Sequence, residues 1–93
     1  MQQASTGLEK LVQGSLRRVS PDQAPLLAWP LVCGSAVAGR TQALKFSEAT
    51  LYVEVPDAGW KREMQSLAAR YLASLNRYST EKVSRIEFVI RRA

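Results

Sequence analysis

A chain of 93 residues with 46% hydrophobic and 23% charged side chains can bury one core, so residues 1–93 are expected to form a single domain. One cysteine, Cys33, and no histidine exclude an intrachain disulfide framework, a Cys/His zinc site and the commonest general base. A net charge of +5 favours polyanionic partners; with no signal-peptide pattern in "MQQASTGLEK" and no apolar run of membrane-spanning length, the expected location is the cytoplasm, with no membrane partner.

The first helical pattern runs from Thr6 to Val19. Thr6 and Glu9 have capping-box spacing, and Leu8, Leu11, Val12, Leu16 and Val19 fall on one stripe. Arg17 and Arg18 sit in the last turn, where they offset the negative end of the helix dipole. Ser20 and Pro21 then fit an N-cap and a first helical position. Pro25 and Pro30 each interrupt a continuous helix, because proline lacks the amide donor and clashes with the preceding turn. The expectation is a short kinked helical segment around Leu26 to Cys33, ended by Gly34, with Leu26, Trp29, Leu31 and Val32 toward the core.

Two strand patterns follow. "TQALKF" puts Leu44 and Phe46 on one side, and "TLYVEV" puts Leu51, Val53 and Val55 inward with Tyr52 and Glu54 outward. Only "SEA" separates them, which predicts an antiparallel hairpin. Asp57 can cap the next helix, whose buried face is Trp60, Met64, Leu67, Ala68, Tyr71, Leu72 and Leu75; Arg62, Ser66, Arg70 and Arg77 lie on the opposite flank. In the final segment Ile86, Phe88 and Ile90 alternate with Arg85, Glu87 and Arg91, the pattern of a half-exposed strand. The predicted order is α-α-β-β-α-β, an α+β fold.

Val32 to Thr41 reads G-x-x-x-x-G-R-T from Gly34, close to the phosphate-binding loop G-x-x-x-x-G-K-[ST]. The context is wrong for a nucleotide. A proline-bearing helix precedes the glycines and a strand follows them. Arg40 replaces the lysine, and no strand ends in a magnesium-binding aspartate. The small residues are expected to serve a close backbone turn between helix and sheet, and no cofactor is implied.

Leu26 to Asn76 resembles the DciA family, bacterial proteins that assist the replicative helicase. The matching features are Trp29 before Leu31-Val32-x-Gly34, Ala38 with Arg40-Thr41, and the strand Leu51-x-Val53-x-Val55. Trp60 with its apolar helix and a final Ile86-x-Phe88 complete them. The likeness extends from about Leu8 to Ile90. It implies a KH-like domain with a three-stranded sheet packed on helices. It also implies DNA binding, single- or double-stranded, and contact with the replicative DNA helicase that promotes its loading at replication initiation, without catalysis. Gly34 and Gly39 are separated by four residues, so the G-x-x-G clamp of nucleic-acid-binding KH domains is missing. Phosphate contact through basic side chains is the mode that remains.

The candidates for that contact are Arg17, Arg18, Arg62, Arg70, Arg77, Arg85, Arg91 and Arg92; the plainer alternative for each is a solvated charge or a surface ion pair. Trp29 and Trp60 sit at apolar-stripe positions and are expected in the core, leaving Tyr52 and Tyr78 as the better stacking candidates. Cys33 reads as a small buried apolar residue. Two other functions fit the composition: a KH-like RNA-binding protein, and a protein-interaction module with incidental basicity whose sheet edge pairs into a homodimer.

Overall fold

The computed structural model describes residues 23–79 and 81–92. The expected helix from Thr6 to Val19, with Arg17 and Arg18, lies outside them. The described elements are α1 (Ala24–Ala38), β1 (Gln42–Ser47), β2 (Thr50–Val55), α2 (Ala58–Tyr78) and β3 (Arg85–Ile90). The fold is α+β: a mixed three-stranded sheet in the order β1-β2-β3 with helices packed against it.

Helix α1 starts two residues before the expected segment because Pro25 lies in its first turn. There a missing amide has no partner to lose, so Pro25 opens the helix instead of interrupting it. Pro30 is also accommodated inside, and the one non-helical residue is Gly34, at φ 84° and ψ 163°. Backbone in that region is essentially reserved for glycine. The first stretch of α1 therefore ends where expected, and one further turn from Ser35 to Ala38 follows the break. Ala28 and Trp29 are fully buried and Leu26 and Val32 pack against the core, but Leu31 is 52% exposed. Leu31 is two residues from Trp29, about 200° around the helix, so the two cannot share a face.

Strands β1 and β2 form the expected antiparallel hairpin. Its two-residue turn holds Glu48 at φ 51° and Ala49 at φ 60°, the doubly left-handed turn that matches strand twist. Leu51, Val53 and Val55 are fully buried. Strand β1 departs from simple alternation, because the register shifts between Ala43 and Lys45. A bulge there inserts Leu44 as an extra residue. Ala43 and Phe46 pack inward as a result, while Leu44 is 42% exposed and not the inward residue that alternation predicts.

Strand β3 runs parallel to β2, with Leu51, Val53 and Val55 opposite Ile86, Phe88 and Ile90. A parallel neighbour requires a crossover, and α2 supplies it. Asp57 Oδ1 accepts the Trp60 amide at 2.9 Å and caps α2 as expected. Met64 and Leu75 are buried, and Trp60, Ala68, Tyr71 and Leu72 pack against the core. At the far end, Asn76 donates from Nδ2 to the carbonyls of Leu72 and Val83, and its Oδ1 accepts the Val83 amide at 2.7 Å. That side chain ties the end of α2 to the approach into β3. Ile90, at the end of its strand, is 44% exposed.

The centre of the molecule is Trp29. Its ring meets Tyr71 of α2 edge-on at 5.4 Å and Phe88 of β3 at 6.4 Å between centroids. Its indole N–H donates to Thr41 Oγ1 at 3.0 Å, and the Thr41 hydroxyl donates to the Val37 carbonyl at 2.9 Å. Trp29 and Phe88 are each 1% exposed, burial worth about 1.5–3 kcal/mol for a side chain of the phenylalanine class.

Two predictions test this architecture. Gly34→Ala should destabilise by about 1–3 kcal/mol from backbone conformation alone, since an added Cβ meets nothing within 4 Å. Gly39, at φ −70° and ψ −16°, should accept alanine with little loss; equal melting temperatures for the two variants would refute the distinction. Thr41→Val strands the buried indole N–H and should cost about 1–3 kcal/mol, whereas Thr41→Ser keeps both hydrogen bonds. Thermal unfolding should rank Thr41→Val well below Thr41→Ser.

Candidate nucleic-acid interface

The phosphate-loop likeness can be settled on geometry. A cradle needs free amides, but the amide of Gly39 donates to the Ser35 carbonyl and those of Arg40 and Thr41 to the Val37 carbonyl, each at 3.0 Å. These three donors are used inside the protein, and the chain runs from helix into strand. Thr41, in the place of the metal-binding hydroxyl, is buried against Trp29. The motif is a structural turn. Cys33 beside it is half-buried; burial pushes its thiol up to about 11, partly offset by a backbone hydrogen bond. It stays protonated near neutrality and is a poor nucleophile.

The described candidate arginines divide between two sides of the molecule. Helix periodicity places Arg62, Arg70 and Arg77 on the flank of α2 that faces away from the core, and all three are exposed. Arg62 and Arg77 are separated by about 22 Å of helix. Among the described residues, no carboxylate lies within ion-pair distance of Arg62 or Arg70.

Arg85 and Arg91 belong to the sheet instead. Ile86 and Phe88 point to the helices, so strand alternation turns Arg85, Glu87, Val89 and Arg91 to the outer face. Both arginines there have acidic partners. The Arg85 guanidinium lies 3.8 Å from Glu87 Oε2, and Arg91 Nε donates to Glu54 Oε1 at 3.1 Å. Exposed pairs of this kind contribute under about 1 kcal/mol each, but they lower the local field. Arg92 is exposed just beyond the strand. Arg62, Arg70 and Arg77 thus line one flank of α2, and Arg85 and Arg91 lie apart from them on the outer face of the sheet.

The aromatic candidates also separate. Trp29 is core, as expected, and Trp60 packs against the core. Tyr78 does so too, which removes it as an open stacking surface. Tyr52 lies on the outer face of the central strand, with Lys45 Nζ 4.9 Å from its ring centroid. Lys45 was not among the sequence candidates. Register counting could have found it: a turn at Glu48-Ala49 pairs Ser47 with Thr50, Phe46 with Leu51 and Lys45 with Tyr52.

An open groove of about 290 Å³ lies at the start of α2, lined by Asp57, Gly59, Trp60 and Glu63. Helix N-termini attract anions, but here Asp57 caps the Trp60 amide and Glu63 adds a second carboxylate. A phosphate is repelled from this end. Among the described residues no three His, Cys, Asp or Glu side chains cluster as metal ligands, and no helix is long and apolar enough to cross a membrane.

No individually curated protein matches the chain. The family model described as the Dna[CI] antecedent, DciA, matches residues 5–88. That span holds the Trp29–Thr41 unit, the hairpin, all of α2 and β3 as far as Phe88, and the family is one of helicase-loading accessory proteins rather than a known catalytic one. The chain belongs to the DciA family, a membership that points to a helicase-loader role in DNA replication.

Proposed function

We propose that this protein is a non-catalytic DNA-binding accessory protein that contacts the replicative helicase in the cytoplasm and promotes its loading onto DNA. The observation that carries the reading is the family match over residues 5–88. The flank of α2 supports its DNA half, because Arg62 and Arg70 stand exposed with no carboxylate within ion-pair distance among the described residues.

A helix flank bearing guanidinium groups on long stems neutralises phosphates without reading bases. Each neutralised phosphate releases a condensed counterion, so affinity falls steeply with salt while sequence preference stays weak. Arg77 extends the same flank, and Arg17, Arg18 and Arg92 are further phosphate contacts in this reading. Arg85 and Arg91 contribute less, since a polyanion must compete with Glu87 and Glu54 for them. The acidic side chains Asp57 and Glu63 at the start of α2 bound this cationic flank at its Arg62 end.

Fluorescence anisotropy with labelled single- and double-stranded DNA should give binding that weakens steeply between low and physiological salt. The paired change Arg62→Ala with Arg70→Ala should weaken it on every sequence tested, and reduce the salt slope by about 1 for each lost phosphate contact. Arg91→Ala should have a smaller effect. An unchanged salt slope in the double variant would remove the α2 flank from the mechanism. Co-purification with the replicative helicase of the same organism tests the helicase half; a protein that fails to associate with the hexamer would overturn it.

A further inference from the structure

Helices α1 and α2 both cover the inner face of the sheet, through Trp29, Tyr71 and the side chains around Phe88. Among the described elements nothing lies on the outer face. Its central row is Lys45, Tyr52 and Glu87, one residue from each strand. We propose that this face, with Tyr52 at its centre and Lys45 beside it, is a stacking platform for single-stranded DNA. The inference rests on the DNA-binding reading above and assigns it a second surface, distinct from the α2 flank.

Three features point to this occupant. Tyr52 is the one aromatic side chain that alternation turns outward from the strands. The Lys45 ammonium sits 4.9 Å from the ring centroid, and among the described residues no carboxylate holds it. Its flexible stem lets it leave the ring for a neighbouring phosphate as a base takes its place. The two acids of the face are already compensated, Glu87 by Arg85 and Glu54 by Arg91, so the uncompensated charge beside Tyr52 is positive.

The chemistry of the face argues against the alternatives. A protein partner would favour an apolar centre, but the centre of this row is Tyr52 between two charged side chains; of the exposed large apolar side chains, Leu27 and Leu31 lie on α1, Leu44 on the edge strand β1 and Ile90 at the end of β3. A duplex keeps its bases stacked on one another and offers a sheet only its phosphates, so an aromatic at the centre gives it no advantage. An unpaired strand presents base faces to a ring and phosphates to the flanking cation.

The test uses the full chain, a labelled oligothymidylate and a blunt duplex of equal length. Tyr52→Ala should weaken oligothymidylate binding about tenfold and duplex binding less than twofold. Tyr52→Phe should bind as the parent does, since the ring is kept. Tyr52→Leu preserves an apolar strand residue and should lose affinity as alanine does, which separates lost stacking from lost folding; thermal unfolding of each variant checks the fold. Lys45→Ala should weaken single-strand binding and lower its salt slope by about 1. Oligothymidylate binding that survives in Tyr52→Leu while the Arg62/Arg70 double variant loses it would overturn the platform and leave the DNA reading standing. Equal losses on both DNAs in Tyr52→Leu would also overturn it. Failure of the parent protein to bind either DNA would remove both proposals together.

Discussion

The hydrogen bond from the Trp29 indole to Thr41 is the contact on which the rest of this structure depends. A tryptophan at 1% exposure must place its N–H on an acceptor, or the burial of that donor offsets much of what the ring contributes. Thr41 provides the acceptor from the residue before β1, and its own hydroxyl donates a hydrogen bond to the Val37 carbonyl. One ring then joins α1 to the start of the hairpin, to Tyr71 of α2 and to Phe88 of β3. To bring Thr41 back to Trp29, the chain must leave the helical path and turn. Gly34, at a backbone conformation that side chains other than hydrogen rarely adopt, makes the break.

This explains why the segment looks like a nucleotide loop without being one. Phosphate cradles and tight helix-to-strand turns share a need for small residues, because both bring backbone close to something else. The difference lies in where the amides point. Here those of Gly39, Arg40 and Thr41 donate to carbonyls of the preceding turn, and the hydroxyl at the motif's end serves an indole rather than a metal. The same small residues do opposite work in the two settings.

The cations follow from the two periodicities of the chain. A helix repeats every 3.6 residues, so arginines at 62, 70 and 77 gather on one flank while the apolar stripe faces the sheet. A strand repeats every two, so Arg85 and Arg91 share the outer face with Glu54 and Glu87 and pair with them. A net charge of +5 is therefore distributed over surfaces of different character. One flank is long and cationic; the sheet face is mixed, with a single aromatic at its centre. The proposals assign phosphates to the first and unpaired bases to the second.

Much of this was legible in the residues alone. The hairpin, the inward set Leu51, Val53 and Val55, the Asp57 cap and the buried stripe of α2 follow from spacing, because local backbone geometry dictates which side chains share a face. The family likeness was legible from the order of Trp29, Gly34, Thr41 and the strand patterns, since these residues form the central contact and the elements it joins. Three things were decided only by the tertiary structure. Leu44 turned outward because the hairpin absorbs an extra residue as a bulge, a choice set by pairing across two strands. Strand β3 joined the sheet parallel to β2 because α2 carries the chain back across the layer before it pairs. Arg91 met Glu54 across the sheet because only packing fixes which acids stand beside which cations. Periodicity is a property of neighbours along the chain; register, burial partners and ion pairs belong to residues that meet after it folds.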